Sequence, residues 1–205
     1  MPTLYDIKPA FQNLLRPLAA KLVAIGATAN MVTIGAALLS VVTGLLIAAF
    51  HLSPGIFWLM PLVLFVRMAL NAIDGMMARE FGQASTLGMY LNELTDVVAD
   101  AALILPFALL PAFPACGVVA FAITAILTEF SGVLGVTAGA ARRYDGPFGK
   151  SDRALALGII AALLASGVTF QGWGNYLFPL LAALSAVTVI SRIRNGLRAA
   201  QGTAS

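Results

Sequence analysis

Apolar positions in this chain run in long stretches broken by brief polar or proline- and glycine-marked interruptions, and six stretches are long enough to cross a membrane. They lie near residues 30–50, 55–79, 86–110, 115–140, 153–168 and 175–197, and a hydrocarbon core of about 30 Å takes about 20 helical residues. Pro54, Pro111, Pro114, Gly172 and Gly174 punctuate three of the connections, as tight turns between antiparallel helices require. Ahead of the first stretch, Ile7, Phe11, Leu14, Leu15, Leu18 and Leu22 recur at helical spacing, while Lys8, Arg16 and Lys21 fall mostly elsewhere. That pattern predicts an amphipathic helix over about 5–25, lying in the membrane interface. The expected architecture is all-α: six transmembrane helices behind an interfacial helix, one membrane domain over 1–205, with no repeat, low-complexity tract or soluble domain.

Composition agrees. Hydrophobic residues make up 60% of the chain and charged residues 10%, against about 25% charged in soluble domains. The mean hydropathy is +0.93. The lone Cys116 excludes an intrachain disulfide and a cysteine-built zinc cage. The opening segment MPTLYDIKPAFQ carries Asp6 and lacks a short apolar core with a small-residue cleavage site, so the first span is expected to act as the insertion signal.

Charge placement predicts orientation. Every Lys and Arg except Arg67 falls in the N-terminal segment, the 79–86 turn, the 140–153 loop or the end of the last span, and the 51–54, 111–114 and 168–174 turns have none. Cytoplasmic loops collect positive charge, so both termini and the basic face are expected on the cytoplasmic side. Part of the net charge of +3 can also hold anionic lipid head groups. Basic residues facing a lipid surface without interleaved exposed aromatics give no support for nucleic-acid binding.

Polar residues inside the apolar stretches carry the candidate chemistry. Residues three or four apart share a helix face, so Asn71 and Asp74 align on the second span, with Ala78 one turn on, and Asn92, Asp96 and Asp100 align on the third. An uncompensated charge in hydrocarbon costs about 2.5–3.5 kcal/mol, so these faces should point at each other or at a wet cavity. Oxygen ligands of this kind suit a hard cation such as magnesium or manganese. Gly75 and Gly88 let a bulky ligand approach the backbone, although small residues also serve plain helix packing. Arg67 and Glu129 are deep in their spans, and Arg67 is expected to pair with Asp100 or Glu129. His51, beside Pro54 in an external turn, is not expected to be catalytic.

These residues carry a family resemblance. Asn71-x-x-Asp74-Gly75-x-x-Ala78-Arg79, then eight residues, then Gly88-x-x-x-Asn92-x-x-x-Asp96, resembles the signature of the CDP-alcohol phosphatidyltransferase family, D-x-x-D-G-x-x-A-R, eight residues, G-x-x-x-D-x-x-x-D. The spacing matches throughout, with Asn71 and Asn92 in place of the first and third aspartates. GATANMVT, Gly26 to Thr33, is similar to the family's G-x-T-P-N-x-x-T, with Ala29 in place of proline. The resemblance implies that an alcohol displaces CMP from CDP-diacylglycerol at the cytosolic face, in a homodimer, with one or two magnesium or manganese ions. It assigns metal binding to Asn71, Asp74, Asn92 and Asp96, the general base to Asp96, and CDP-lipid contacts to Gly75, Ala78, Arg79, Gly88, Asn30 and Thr33. With two carboxylates where the family has four, three arrangements stay open. One metal is retained, the diphosphate brings the second, or Glu93 and Asp100 restore the missing charge. Glu93 lies about 100° round the helix from Asn92, and Asp100 about 6 Å deeper than Asp96.

The loop AARRYDGPFGKSDR and the end of the last span resemble the acceptor-phosphate site of members that use phosphorylated alcohols. Arg153 and Arg192, with Arg142 and Lys150 behind them, are the expected ligands of glycerol 3-phosphate or an inositol phosphate, since arginine's planar fork grips phosphate bidentately. A CDP-lipid-binding homologue without turnover, and a small membrane transporter, are the rival classes. Against the transporter, the carboxylates cluster near one face and the later spans offer no matching polar relay.

Overall fold

The computed structural model describes residues 4–202, with side chains from Ala10 to Gln201. The side chains of Ile7 and Lys8, part of the expected amphipathic pattern, lie outside the described residues. The described chain is all-helical: α1 Leu4–Ala24, α2 Ala29–Ala49, α3 Leu59–Glu80, α4 Thr86–Ile104, α5 Ala115–Thr137, α6 Lys150–Ala165 and α7 Gly174–Gly202. Two 3-10 turns, Pro54–Trp58 and Leu105–Leu109, lead into α3 and extend α4. Each begins with a proline at or next to its first position, where the missing N–H costs no hydrogen bond.

Helix starts follow local side-chain chemistry. Thr28 Oγ1 accepts the Met31 N–H at 3.2 Å at the head of α2, and Ser85 Oγ accepts the Gly88 N–H at 2.9 Å at the head of α4. At the start of α6 the Gly149 N–H donates to the Asp152 carboxylate at 2.8 Å. Such contacts satisfy donors that have no intrahelical partner.

Helices occur at all six expected spans, but four segments combine the length and hydropathy needed to cross a membrane: Ala29–Ala49, Pro54–Glu80, Ala115–Thr137 and Gly174–Gln201. The other two differ for distinct reasons. Helix α4 carries Glu93, Asp96 and Asp100, and α6 has 16 residues, a rise of about 24 Å.

The chain forms two compact units. The first comprises Met1–Val42 and Leu62–Ala99. Its core joins Ala19 of α1, Ala29 and Val32 of α2, and Ile73, Met76 and Met77 of α3, flanked by Leu15, Leu22, Leu70 and Phe81. Met76 and Met77, flexible side chains that adapt to irregular space, are fully buried among the three helices. Flanking this packed face of α1, Leu14 is 75% and Leu18 47% exposed. Arg16 ties α1 to the end of α3 through a 2.7 Å salt bridge to Glu80.

The second unit comprises Thr43–Pro61 and Asp100–Ser205. Here α5 packs along α7, and Pro179 of α7 sits where Gly117 leaves room, since a Cβ at 117 would lie 2.8 Å from the proline Cδ. At one end, Phe113 meets Phe170 and Phe178 edge-on at 5.1 and 5.0 Å, and Phe107 adds Phe57 and Phe178. These are the tilted and T-shaped geometries that aromatic quadrupoles favour. The loop after α5 crosses α5 and α7 on backbone contacts: the Arg143 N–H donates to Gly132 O at 3.1 Å and the Phe148 N–H to Thr188 Oγ1 at 3.0 Å. Gly146, at φ 118°, lies so close to Thr188 that a side chain there would clash.

Candidate functional site

The polar stripe of the first unit closes on itself. Asp74 is 6% exposed, and Thr33 Oγ1 lies 2.8 Å from its Oδ2 as a donor. The same hydroxyl lies 3.0 Å from Ala29 O, so a single proton is shared between two acceptors. Asp96 Oδ1 accepts from Arg67 Nη2 at 3.2 Å and lies 3.5 Å from Asn71 Nδ2. Arg67 Nη2 also donates to the Asp96 backbone oxygen at 3.2 Å. The expected facing of the second and third spans is thus present at Asn71 and Asp96. Asn92 is half-buried one turn before Asp96 on the same face of α4.

The two halves of the sequence pattern meet in this unit. Thr33 of the first motif reaches Asp74 of the second, and Asn30 lies against Gly88, where a Cβ would stand 2.8 Å from the Asn30 Oδ1. Arg79 is exposed, and its guanidinium lies over Gly75, 3.0 Å from where a Cβ would be. Ala78 is half-buried on the following turn. A side chain at Gly88 would displace the Asn30 amide, whereas one at Gly75 would meet only the movable end of Arg79.

The donor set fits a hard divalent cation. Asp74 and Asp96 supply carboxylates, and Asn71 and Asn92 offer amide oxygens, the ligand type magnesium and manganese accept. Among the described residues no three His, Cys, Asp or Glu side chains gather as a metal cluster, because amides occupy two of the four positions. Two carboxylates and the Arg67 guanidinium leave the cluster with a formal charge of −1.

Basic residues gather in the second unit. Arg153 is 1% exposed and donates to Thr128 Oγ1 at 2.7 Å, Glu129 Oε1 at 2.8 Å and Asp100 Oδ2 at 3.2 Å. Arg192, 2% exposed, donates to the carbonyl oxygens of Thr128 and Asp145 and lies 3.7 Å from Glu129. Arg142 reaches the other Glu129 oxygen at 3.4 Å and stacks on Tyr144 at 5.0 Å. Lys150 opens α6 half-buried. Arg143 forms a bidentate pair with Asp145 at 2.7 and 2.9 Å, which holds the Asp145 carboxyl below the usual carboxylate range.

Sequence reasoning placed the acidic stripe but missed several partners. Arg67 takes Asp96, which was not among its expected partners, while Arg153 takes both Glu129 and Asp100. Gln83 carries no motif, yet its Oε1 accepts the Ala29 N–H at 2.7 Å and its Nε2 lies 3.4 Å from Ala27 O. The signal was Ala29 itself. The family pattern has proline there, which has no N–H to satisfy, whereas alanine brings a donor that needs an acceptor. Thr128 was missed because its neighbour Glu129 was the obvious polar residue of α5.

Residues 27–190 match the family model described as CDP-alcohol phosphatidyltransferase. The inner membrane protein YnbA of Escherichia coli strain K12 is 47% identical over 195 residues, covering 95% of this chain and 96% of that protein. Among solved structures, Mycobacterium tuberculosis phosphatidylinositol phosphate synthase PgsA1 with CDP-DAG bound aligns with a TM-score of 0.72 at 22% identity, over 88% of this chain and 92% of that one. The same enzyme in complex with manganese and citrate also gives 0.72 at 22% identity, covering 88% of each chain. At that identity the likeness is one of fold.

Proposed function

The chain belongs to the CDP-alcohol phosphatidyltransferase family, and from that premise we propose that it moves the phosphatidyl group of CDP-diacylglycerol to a phosphorylated alcohol, releasing CMP. Glycerol 3-phosphate and inositol phosphates are the acceptors of the right chemistry. The observation that carries the reading is the meeting of the two motif halves, Thr33 on Asp74 and Asn30 on Gly88, around a donor set for a hard cation.

In this reading Asp74 and Asp96, with the amide oxygens of Asn71 and Asn92, would hold magnesium or manganese, which when bound would supply charge neutralisation at the diphosphate. Asp96 takes the proton of the acceptor hydroxyl as its oxygen bonds to the lipid phosphorus and the bond to CMP breaks. Gly75, Gly88 and Ala78 leave room for the cytidine, Asn30 and Thr33 contact the nucleotide, and Arg79 meets phosphate oxygens. On the acceptor side, Arg142, Lys150, Arg153 and Arg192 favour an anion. Arg142, Arg153 and Arg192 converge on Glu129, and the buried Arg153 Nε makes no hydrogen bond among the described residues. A phosphate would satisfy that donor and offset the positive excess.

The reading takes residues 1–205 as one homodimeric membrane domain. The family match runs through both compact units. It has six spans, with α1 in the interface supported by the exposed Leu14 and Leu18, and the clustered basic residues support a cytoplasmic side for both termini and the site.

The test is full-length protein in nanodiscs with labelled CDP-diacylglycerol, a panel of alcohols and alcohol phosphates, and magnesium or manganese. CMP release that depends on a phosphorylated acceptor is the expected result. Asn71 and Asn92 favour one second reading, a homologue that binds CDP-lipid without turnover. Binding without CMP release for any acceptor would select it.

A further inference from the structure

We propose that Arg67 limits the site between α3 and α4 to a single divalent cation, its guanidinium occupying at Asp96 the electrostatic place a second cation would need. The inference rests on the phosphatidyl-transfer reading, which puts a hard cation at Asp74 and Asp96.

Arg67 is 5% exposed and sits within a membrane-crossing segment. An arginine there stays protonated, and its charge must be met by a neighbouring anion. The anion is Asp96. Nη2 reaches both the carboxylate Oδ1 and the backbone oxygen of that residue, each at 3.2 Å, so side chain and helix are gripped together. Asn71 Nδ2 lies 3.5 Å from the same Oδ1. One oxygen of the only carboxylate that α4 adds to the four-position set is therefore engaged by two donors.

The charge count points the same way. Asp74, Asp96 and Arg67 sum to −1, and one dication turns this to +1, which a diphosphate can meet. A second dication would stand beside a fixed guanidinium in a poorly solvated span, with amides rather than carboxylates at Asn71 and Asn92 to receive it. Amide oxygens ligate but bring no charge. Arg67 thus appears in this chain together with the two asparagines as one charge-balanced set, and its role is that of a positioning residue for Asp96 and a gate on metal number.

Manganese binding to full-length protein in nanodiscs, in the presence of saturating CDP, tests this through free Mn2+ followed by electron paramagnetic resonance. Wild type is expected to saturate at one Mn2+ per chain, Arg67→Gln at two. One Mn2+ in a folded Arg67→Gln protein overturns the proposal. Should that variant not fold, Asn71→Asp adds a carboxylate while keeping Arg67: a single, more tightly bound Mn2+, by at least about tenfold, supports the proposal, and a second Mn2+ overturns it. Two Mn2+ in wild type overturns the limit imposed by Arg67 but leaves the phosphatidyl-transfer reading intact. No Mn2+ with or without CDP removes the metal site beneath both.

Discussion

Both units of the molecule bury charge, and they do it with opposite sign. In the first, two carboxylates and one guanidinium leave an acidic excess, and Asp96 keeps 16% of its side chain exposed. In the second, Arg142, Arg153 and Arg192 face Glu129 and Asp100, a basic excess in which the Arg153 side chain is 2% and the Glu129 side chain 7% exposed. An ion that is almost wholly enclosed by partners fastens helices together, since removing one partner strands the other in a poor solvent. Asp96, at 16%, is the most exposed of the four carboxylates, while Asp74, at 6%, is as enclosed as Glu129. The two clusters use the same few residue types and differ in the sign of their excess.

The largest expected effect tests the open cluster. Asp96→Asn should cut the rate of CMP release per folded molecule by about 10²–10⁴-fold, the usual contribution of a positioned base, and also lower folded yield by leaving the buried Arg67 without this anion; a rate per folded molecule preserved would make Asp96 part of the scaffold alone. The enclosed cluster should answer the other way. Glu129→Gln leaves three arginines without their shared anion and should lower stability by about 3–5 kcal/mol, read as thermal unfolding in detergent. A stable Glu129→Gln protein that has lost acceptor dependence would confine this cluster's role to acceptor binding. Thr33→Val removes the hydroxyl at Asp74 and should weaken manganese binding by about tenfold, as loss of an outer hydrogen bond to a ligand does.

Two smaller effects sharpen the local picture. Gln83→Ala should cost about 1 kcal/mol through the uncapped Ala29 N–H, and the cost should vanish in an Ala29→Pro background, where that donor is absent. A double-mutant cycle in thermal unfolding measures the coupling. The Arg143 pair depresses the Asp145 pKa. A depressed folded-state value stabilises above the ordinary carboxylate pKa of about 3.9 and is lost as pH falls through the lower folded value. Asp145→Asn should therefore cost at most about 1 kcal/mol at pH 7, with the gap from wild type closing as the pH falls below about 4.

The acidic stripe was legible because helical periodicity alone puts Asn71 and Asp74, or Asn92 and Asp96, on one face. Arg67 was legible as a buried cation that needed an anion, but its partner was not, since that depends on the rotation and depth of α3 against α4. Arg153 and Arg192 read as basic residues near a loop and a helix end, where topology alone would place them. Their burial on Glu129 and Thr128 requires α5, α6 and α7 to be packed. Gln83 was invisible because its role comes from a neighbour's missing proline.

Sequence by itself determined an integral membrane chain, the helix positions, the basic and acidic faces and the family to which the chain belongs, because hydropathy, period and spacing are properties of one strand of text. Tertiary structure alone decided which charge meets which: Arg67 with Asp96, Arg153 with Glu129 and Asp100, Thr33 with Asp74. Pairing energy depends steeply on distance and on exclusion of water, and neither exists until the helices have packed.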